Sequence, residues 1–337
     1  MEVAWHLIND PDPRRGGAQR ILREAALNSE IILSQKSGRN TFYGKVFGKH
    51  SWIPFLIVKI IKKRPKTVFI HSRCFLPLSL ILRAFKSKVI FYAHANYKHG
   101  NLLFRVFRCD QYIAVSDAVK KLLESNKILS SRITVIRNPY LAGKNVLQNH
   151  DKRSEHLNIA CIGSLNPWKG VYLLADKLLK IAEYQKSKIC LTVVGDGPEK
   201  ESIANLSSRS KYFETRLLGF QEAPYEHISN ISIVAIPSLE EGFGLVAIES
   251  IYQGKIVIYS DIPALREVCK DQSLCFPFSH SDQDSLIKAI RSSIEKSIDS
   301  SPPALMKDRS ERILEEYGKD KFIQQQLAFR ARLNNLL

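Results

Sequence analysis

At 337 residues, 45% apolar and 25% charged, the chain is long enough for about two domains and too apolar to be disordered. Its formal net charge of +17 belongs to the first half: residues 1–150 hold 26 of the 50 Lys/Arg and only 8 of the 33 Asp/Glu, and 51–109 carries no acidic residue. That half is expected to face something negative, such as a phosphate, a lipid surface or nucleic acid. The six cysteines form no CxxC pair and no His cluster joins them, which argues against zinc and for reduced, buried thiols. Met1 to His6 lacks the charged and apolar regions of a signal peptide. The longest apolar stretch, 52–61, is interrupted by Pro54 and Lys59, so no membrane span is expected.

In chain order, short apolar runs alternate with helical periodicity, the pattern of βα units and parallel sheets. Strands are predicted over 3–8, 68–71, 89–93, 111–115 and 134–136, with helices over 17–27, 53–63, 76–84, 102–108 and 117–125. Ser116 supplies an N-cap signal. The polar stretch 140–157 reads as a linker. Beyond it, strands are predicted over 158–162, 189–194, 215–218, 231–236, 256–259 and 274–276. Helices are predicted over 169–183, 198–207, 245–251 and 284–295. The expected domains are 1–150, 151–303 and a helical segment 304–337 that could pack back on the first lobe. Two doubly wound α/β lobes bind ligands outside the carboxyl ends of their strands.

Four signals sit at strand ends of the second lobe. After the strand ending at 162 comes Gly163, then Lys169-Gly170; a lysine opening a helix there suits a phosphate. Gly195-Asp196-Gly197-Pro198 and Leu218-Gly219-Phe220 follow the next two strands, and each needs no more than a turn to explain it. The sharpest is Pro237-Ser238 followed by Glu241-Gly242-Phe243-Gly244-Leu245 and Glu249. Two carboxylates flank a glycine turn that opens a helix, so both can reach hydroxyls of one polyol ligand.

In this order and spacing, with Gly254-Lys255 and Glu267 beyond, these pieces resemble glycosyltransferase family 4 over most of 158–270. Gly16-Gly17, His94, Ser116 and Asn138-Pro139 extend the likeness more thinly into the first half. The resemblance implies a GT-B fold of two Rossmann-like lobes and a retaining, metal-independent transfer of a hexose-type sugar from a nucleotide diphosphate, UDP-linked first and GDP-mannose next. No cofactor is implied. It assigns the donor diphosphate to Lys169 and Gly17 of the Gly16-Gly17 turn, and the ribose hydroxyls to Glu249. The sugar and distal phosphate fall to Glu241 with the backbone of Phe243, Gly244 and Leu245, and the base to Gly219 and Phe220. His94 and Glu241 fall at the reaction centre. Ser164 stands where the family usually has an arginine; Arg14 or Arg15 is expected to compensate.

The strings Asp10-Pro11-Asp12 and Asp282-Gln283-Asp284 are read as local structure rather than metal sites. The basic half suits an anionic glycan or lipid-linked acceptor in lipopolysaccharide, O-antigen or capsule synthesis, placing the chain in the cytoplasm or peripherally on the inner membrane's cytoplasmic face. Trp52, Phe55, Leu56 and Ile60, followed by Lys62, Lys63, Arg64 and Lys66, could form an amphipathic contact with anionic lipid, or simply a core face. Two alternatives stay open: a nucleotide-sugar epimerase of the same fold, and a basic nucleic-acid-binding protein. No helix-turn-helix, zinc-finger or RNA-stacking motif supports the second, so nucleic acid is not the expected partner.

Overall fold

The computed structural model describes residues 4–10, 12, 16–26, 30–34, 52–96, 102–141, 156–270, 273–298 and 303–335. The chain divides into two compact units, residues 1–139 with 320–337, and residues 140–319. The sequence-based boundaries at 150 and 303 therefore differ from the structural ones, and most of the proposed linker lies outside the described residues.

The first unit is a six-stranded parallel sheet in the order β2-β1-β3-β4-β5-β6, from β1 (Trp5–Ile8), β2 (Ile31–Ser34), β3 (Thr67–Ile70), β4 (Lys88–Ala93), β5 (Gln111–Ala114) and β6 (Ile133–Val135). Central strands such as β4 are buried on both faces, which is why they read as unbroken apolar runs rather than alternating ones. Helices α1 (Gly17–Ala25), α2 (Trp52–Lys63), α3 (Leu78–Ala84), α4 (Leu102–Val106) and α5 (Asp117–Ser125) connect the strands. The Ser116 hydroxyl accepts from Val119 N–H at 3.1 Å and starts α5 where the cap signal placed it.

The second unit repeats the architecture in the order β12-β11-β10-β7-β8-β9. Its strands are β7 (Leu157–Ile162), β8 (Ile189–Val194), β9 (Phe213–Gly219), β10 (Ile233–Ile236), β11 (Ile256–Ser260) and β12 (Cys275–Phe278). Its helices are α6 (Val171–Gln185), α7 (Lys200–Ala204), α8 (Leu245–Tyr252), α9 (Pro263–Cys269), α10 (Gln283–Ile298) and α11 (Pro303–Tyr317). On α6, Leu174, Ala175, Leu178 and Ala182 recur at helical spacing and bury into a core with Ile159, Leu191 and Ile258. In each sheet the order reverses once, between β1 and β3 and between β7 and β10.

Two local expectations are corrected and one open alternative is resolved. Lys169 does not open a helix: it ends a 3₁₀ turn, Pro167–Lys169, and α6 begins two residues later. The segment 304–335 is two helices, because Gly318 separates α11 from α12 (Lys319–Asn335) and only 320–337 belongs to the first unit. Of the two readings left open for α2, the core face is the one seen for Leu56 and Ile60, which are fully buried, while Phe55 is partly covered. Burying them inside the unit satisfies the hydrophobic effect, which accounts for the apolar face of this helix. The Trp52 side chain lies outside the described residues.

Candidate functional site

Within the second unit, the sequence signals converge at the β7/β10 reversal, where open parallel sheets place their ligand crevice. Two loops leave adjacent strand ends there, 163–170 after β7 and 237–244 after β10. They are joined by backbone: Leu239 N–H donates to Trp168 O at 2.8 Å. Gly170 lets them close, since its backbone is left-handed (φ 66°) and a Cβ there would meet Pro237 O at 2.1 Å. Across this junction Lys169 Nζ donates to Glu241 Oε1 at 2.6 Å, and Ser238 Oγ donates to the same oxygen at 2.9 Å. The pair is only part-covered, with side-chain exposures of 26% and 14%, so a ligand can reach it. Its own contribution to folding is small in that setting.

The neighbouring loops are tied in the same way. Gly195 N–H donates to Gly219 O at 2.7 Å, and Gly163 N–H to Val194 O at 3.0 Å. A Cβ on Gly195 would meet Gly163 O at 1.8 Å, so the Gly-Asp-Gly-Pro turn is explained by packing between loops. Gly219 ends edge strand β9 and is followed by Phe220, 47% exposed. Gly244 caps α8 and Leu245 is that helix's first residue, leaving the helix N-terminal field beside Glu241 in sequence. Glu249 lies in the second turn of α8 and is 2% exposed. The Phe243 ring is buried edge-on against Tyr317 of α11, 5.6 Å between centroids, so the side chain is core and only its backbone remains for a ligand.

The first unit is described by itself. Gly16 and Gly17 stand at the start of α1, after β1, while Arg14 and Arg15 lie outside the described residues. His94 directly follows β4. It is the end of a chain that the sequence did not reveal: Arg330 Nη2 donates to Glu30 Oε2 at 2.8 Å, Glu30 Oε2 to His6 Nε2 is 2.8 Å, His6 Nδ1 to His71 Nε2 is 2.9 Å, and His71 Nδ1 to His94 Nε2 is 2.8 Å. Burial lowers the pKa of all three imidazoles, that of His94 to about 3, so each is neutral. The Tyr92 ring stacks on His94 at 4.4 Å, and its hydroxyl accepts from Gln326 of α12 at 2.9 Å.

His280, after β12, was also missed. Its Nε2 lies 2.7 Å from Pro237 O and 2.9 Å from Ser260 Oγ, bracing the 237–244 loop from behind. A single histidine between serines has no spacing signal that would have singled it out. In the two Asp-x-Asp strings, Asp282 Oδ1 accepts from Asp284 N–H and Ser285 N–H at the start of α10, and Asp10 Oδ1 accepts from Asp12 N–H.

Residues 144–313 match the family described as Glycosyl transferases group 1, and residues 15–140 match Glycosyltransferase Family 4. The O-antigen biosynthesis glycosyltransferase WclY of Escherichia coli is 34% identical over 128 residues, covering 38% of this chain and 34% of WclY. The O-antigen chain mannosyltransferase RfbU of Salmonella typhimurium is 25% identical over 175 residues, 51% of this chain and 48% of RfbU. The chain thus aligns with about a third to a half of these relatives' length. Among solved structures, Anabaena HepE in complex with UDP-glucose superposes with a TM-score of 0.79 at 16% identity, over 98% of this chain and 100% of that one. The apo lipopolysaccharide outer core galactosyltransferase WaaB superposes at 0.74 and 16% identity, over 97% and 99%.

Proposed function

This chain belongs to the glycosyl transferases group 1 family, and from that premise we propose that it moves a hexose from a nucleotide diphosphate donor to a glycan or lipid-linked acceptor with retention of configuration. Its α/β fold is GT-B. The observation that carries the reading is the Lys169–Glu241 pair at the β7/β10 reversal. In this reading Lys169 exchanges part of its bond to Glu241 for the donor diphosphate, and Glu241, still braced by Ser238, turns toward the sugar hydroxyls. The N-terminal end of α8 adds backbone N–H groups against leaving-group charge. Glu249 takes the ribose hydroxyls and Phe220 meets the base. Gly16 and Gly17 approach the diphosphate, and His94 receives a hydroxyl of the transferred sugar. The departing phosphate then helps remove the acceptor proton on the same face.

A UDP-linked donor is favoured over GDP-mannose, because HepE was solved with UDP-glucose. The relatives WclY and RfbU support a place in O-antigen or related lipopolysaccharide synthesis; an acceptor at the cytoplasmic face of the inner membrane is part of the proposal. No described helix is long and apolar enough to cross a membrane, and the basic first half supplies an attraction for anionic acceptors. A thermal-shift screen of UDP- and GDP-sugars tests the reading, since a ligand at a hundred times its dissociation constant stabilises by about 2.7 kcal/mol. A shift with nucleotide sugars followed by transfer to a lipid-linked acceptor supports it. No shift with any of them, or an inverted product, overturns it.

A further inference from the structure

The histidine chain follows from sheet geometry. Ile31 N–H bonds to Ala4 O, so Glu30 stands level with Ala4, two residues before His6 on neighbouring β1. His6 is level with Phe69, two before His71 on β3. Ile70 is level with Phe91, which places His71 beside Tyr92, two before His94 on β4. Each step crosses one strand and climbs two residues. Residues two apart share a face of a strand, so Glu30, His6, His71 and His94 form one diagonal across one face of the sheet. Phe69 and Tyr92 fill the steps, stacking on His6 at 4.9 Å and on His94 at 4.4 Å.

The direction of the hydrogen bonds along this diagonal is fixed at its foot. Arg330 reaches both oxygens of Glu30, at 3.1 and 2.8 Å, and holds it as a carboxylate, which can only accept. His6 must then carry its proton on Nε2 and accept at Nδ1. His71 must donate from Nε2 and accept at Nδ1, and His94 must donate from Nε2. The reverse set of tautomers would leave a lone pair of His6 Nε2 facing a carboxylate oxygen at 2.8 Å. What remains is His94 Nδ1, a shielded acceptor with no hydrogen-bond partner among the described residues.

We propose that Glu30, His6 and His71 are positioning residues that lock His94 in its Nε2–H tautomer, so that Nδ1 is a permanent acceptor for a hydroxyl of the transferred sugar. The sugar's part in this rests on the transferase reading above; the tautomer lock does not. Arg330 anchors the lock from α12, where its guanidinium also lies 5.0 Å over the Phe69 ring.

Long-range proton–nitrogen spectra of ¹⁵N-histidine-labelled protein, assigned with His94→Gln, report which ring nitrogen carries each proton. Nε2 protonation of His6, His71 and His94 at neutral pH is expected, and Nδ1 protonation of His94 overturns the lock. His71→Leu breaks the diagonal, whereas His71→Gln can still donate toward His6 and accept from His94. Titrations with UDP and UDP-glucose should show His71→Leu losing about tenfold in UDP-glucose affinity with UDP unchanged, and His71→Gln retaining most of it. Equal losses for UDP and UDP-glucose, or a His71→Gln as damaged as His71→Leu, overturn the positioning role. A wild-type chain that binds UDP but not UDP-glucose overturns the sugar contact, while the spectra still decide the lock. Failure to bind any nucleotide sugar sinks the transferase reading alone.

Discussion

Lys169 and Glu241 neutralise each other at 2.6 Å in a setting that water still reaches. Removing either one therefore affects the fold little and the ligand much. Lys169→Ala is expected to raise the donor Michaelis constant by about tenfold to a hundredfold, the range of a lost charge-assisted bond, with a melting temperature near that of the parent. Steady-state kinetics beside a melting curve separate the two effects; a large drop in melting temperature with unchanged kinetics would make the pair structural. The histidines act oppositely. His94 is neutral in the folded chain, with its pKa lowered to about 3 by burial, whereas unfolded it titrates near 6.5. The unfolded chain thus binds the extra proton first, and stability falls as pH drops below about 6.5. From pH 7 to pH 5 His94 alone removes about 2 kcal/mol, and His6 and His71 act in the same direction. Denaturant titrations across that range should show it, with His94→Gln flattening the slope. Glu30, Arg330 and Tyr92 are the other ionisable groups facing these rings.

At the scale of elements, buried polar groups reveal which parts are structural. Lys255, just ahead of β11, is fully buried and its ammonium donates to the carbonyls of Ile228, Ser229 and Ile231 at 2.9, 3.2 and 2.7 Å. Lys255→Met keeps the side-chain volume and strips those carbonyls of their donor. A loss of about 3 kcal/mol in unfolding free energy is expected, with donor affinity in the folded fraction unchanged. On α2 the outward large apolar residues are Ile53, Val58 and Ile61, 41%, 49% and 43% exposed, and the last two lie near Lys62 and Lys63. If this face meets the membrane, Val58→Asp with Ile61→Asp should cut flotation with anionic vesicles about tenfold at low salt; unchanged flotation refutes it. These elements also show where the sequence was legible. Strands such as β8 and the capped α5 carry their signals locally, as an apolar run and a serine before an acidic first turn. The edge strand β2 and the helix α9 are absent from that reading. The glycine and carboxylate motif around Glu241 was readable because ligand loops concentrate unusual residues at close spacing. The diagonal from Glu30 to His94 was not, since its members are 24, 65 and 23 positions apart and meet only once strand order and register exist.

Across the whole chain, the last eighteen residues complete the unit that the first 139 begin. Phe322, Phe329 and Leu333 of α12 are buried, Gln326 bonds to the Tyr92 hydroxyl, and Lys88 Nζ donates to Leu333 O. Arg330 donates to Ala25 O at 2.9 Å as well as to Glu30. Burying three large apolar side chains stabilises by about 6 kcal/mol, and removing Arg330 leaves Glu30 as an uncompensated buried charge. A domain of this size has about 5–15 kcal/mol in total. Ending the chain after Lys319 should therefore unfold the first unit while the second, whose sheet and core lie within 140–319, retains its structure. Circular dichroism should lose about half of its helical and strand signal, and calorimetry should show one transition where the full chain is more stable throughout. Limited proteolysis should digest the first 139 residues and spare the rest. A truncated chain that resists protease along its whole length would show that α12 is dispensable, and would remove the anchor on which the histidine diagonal depends.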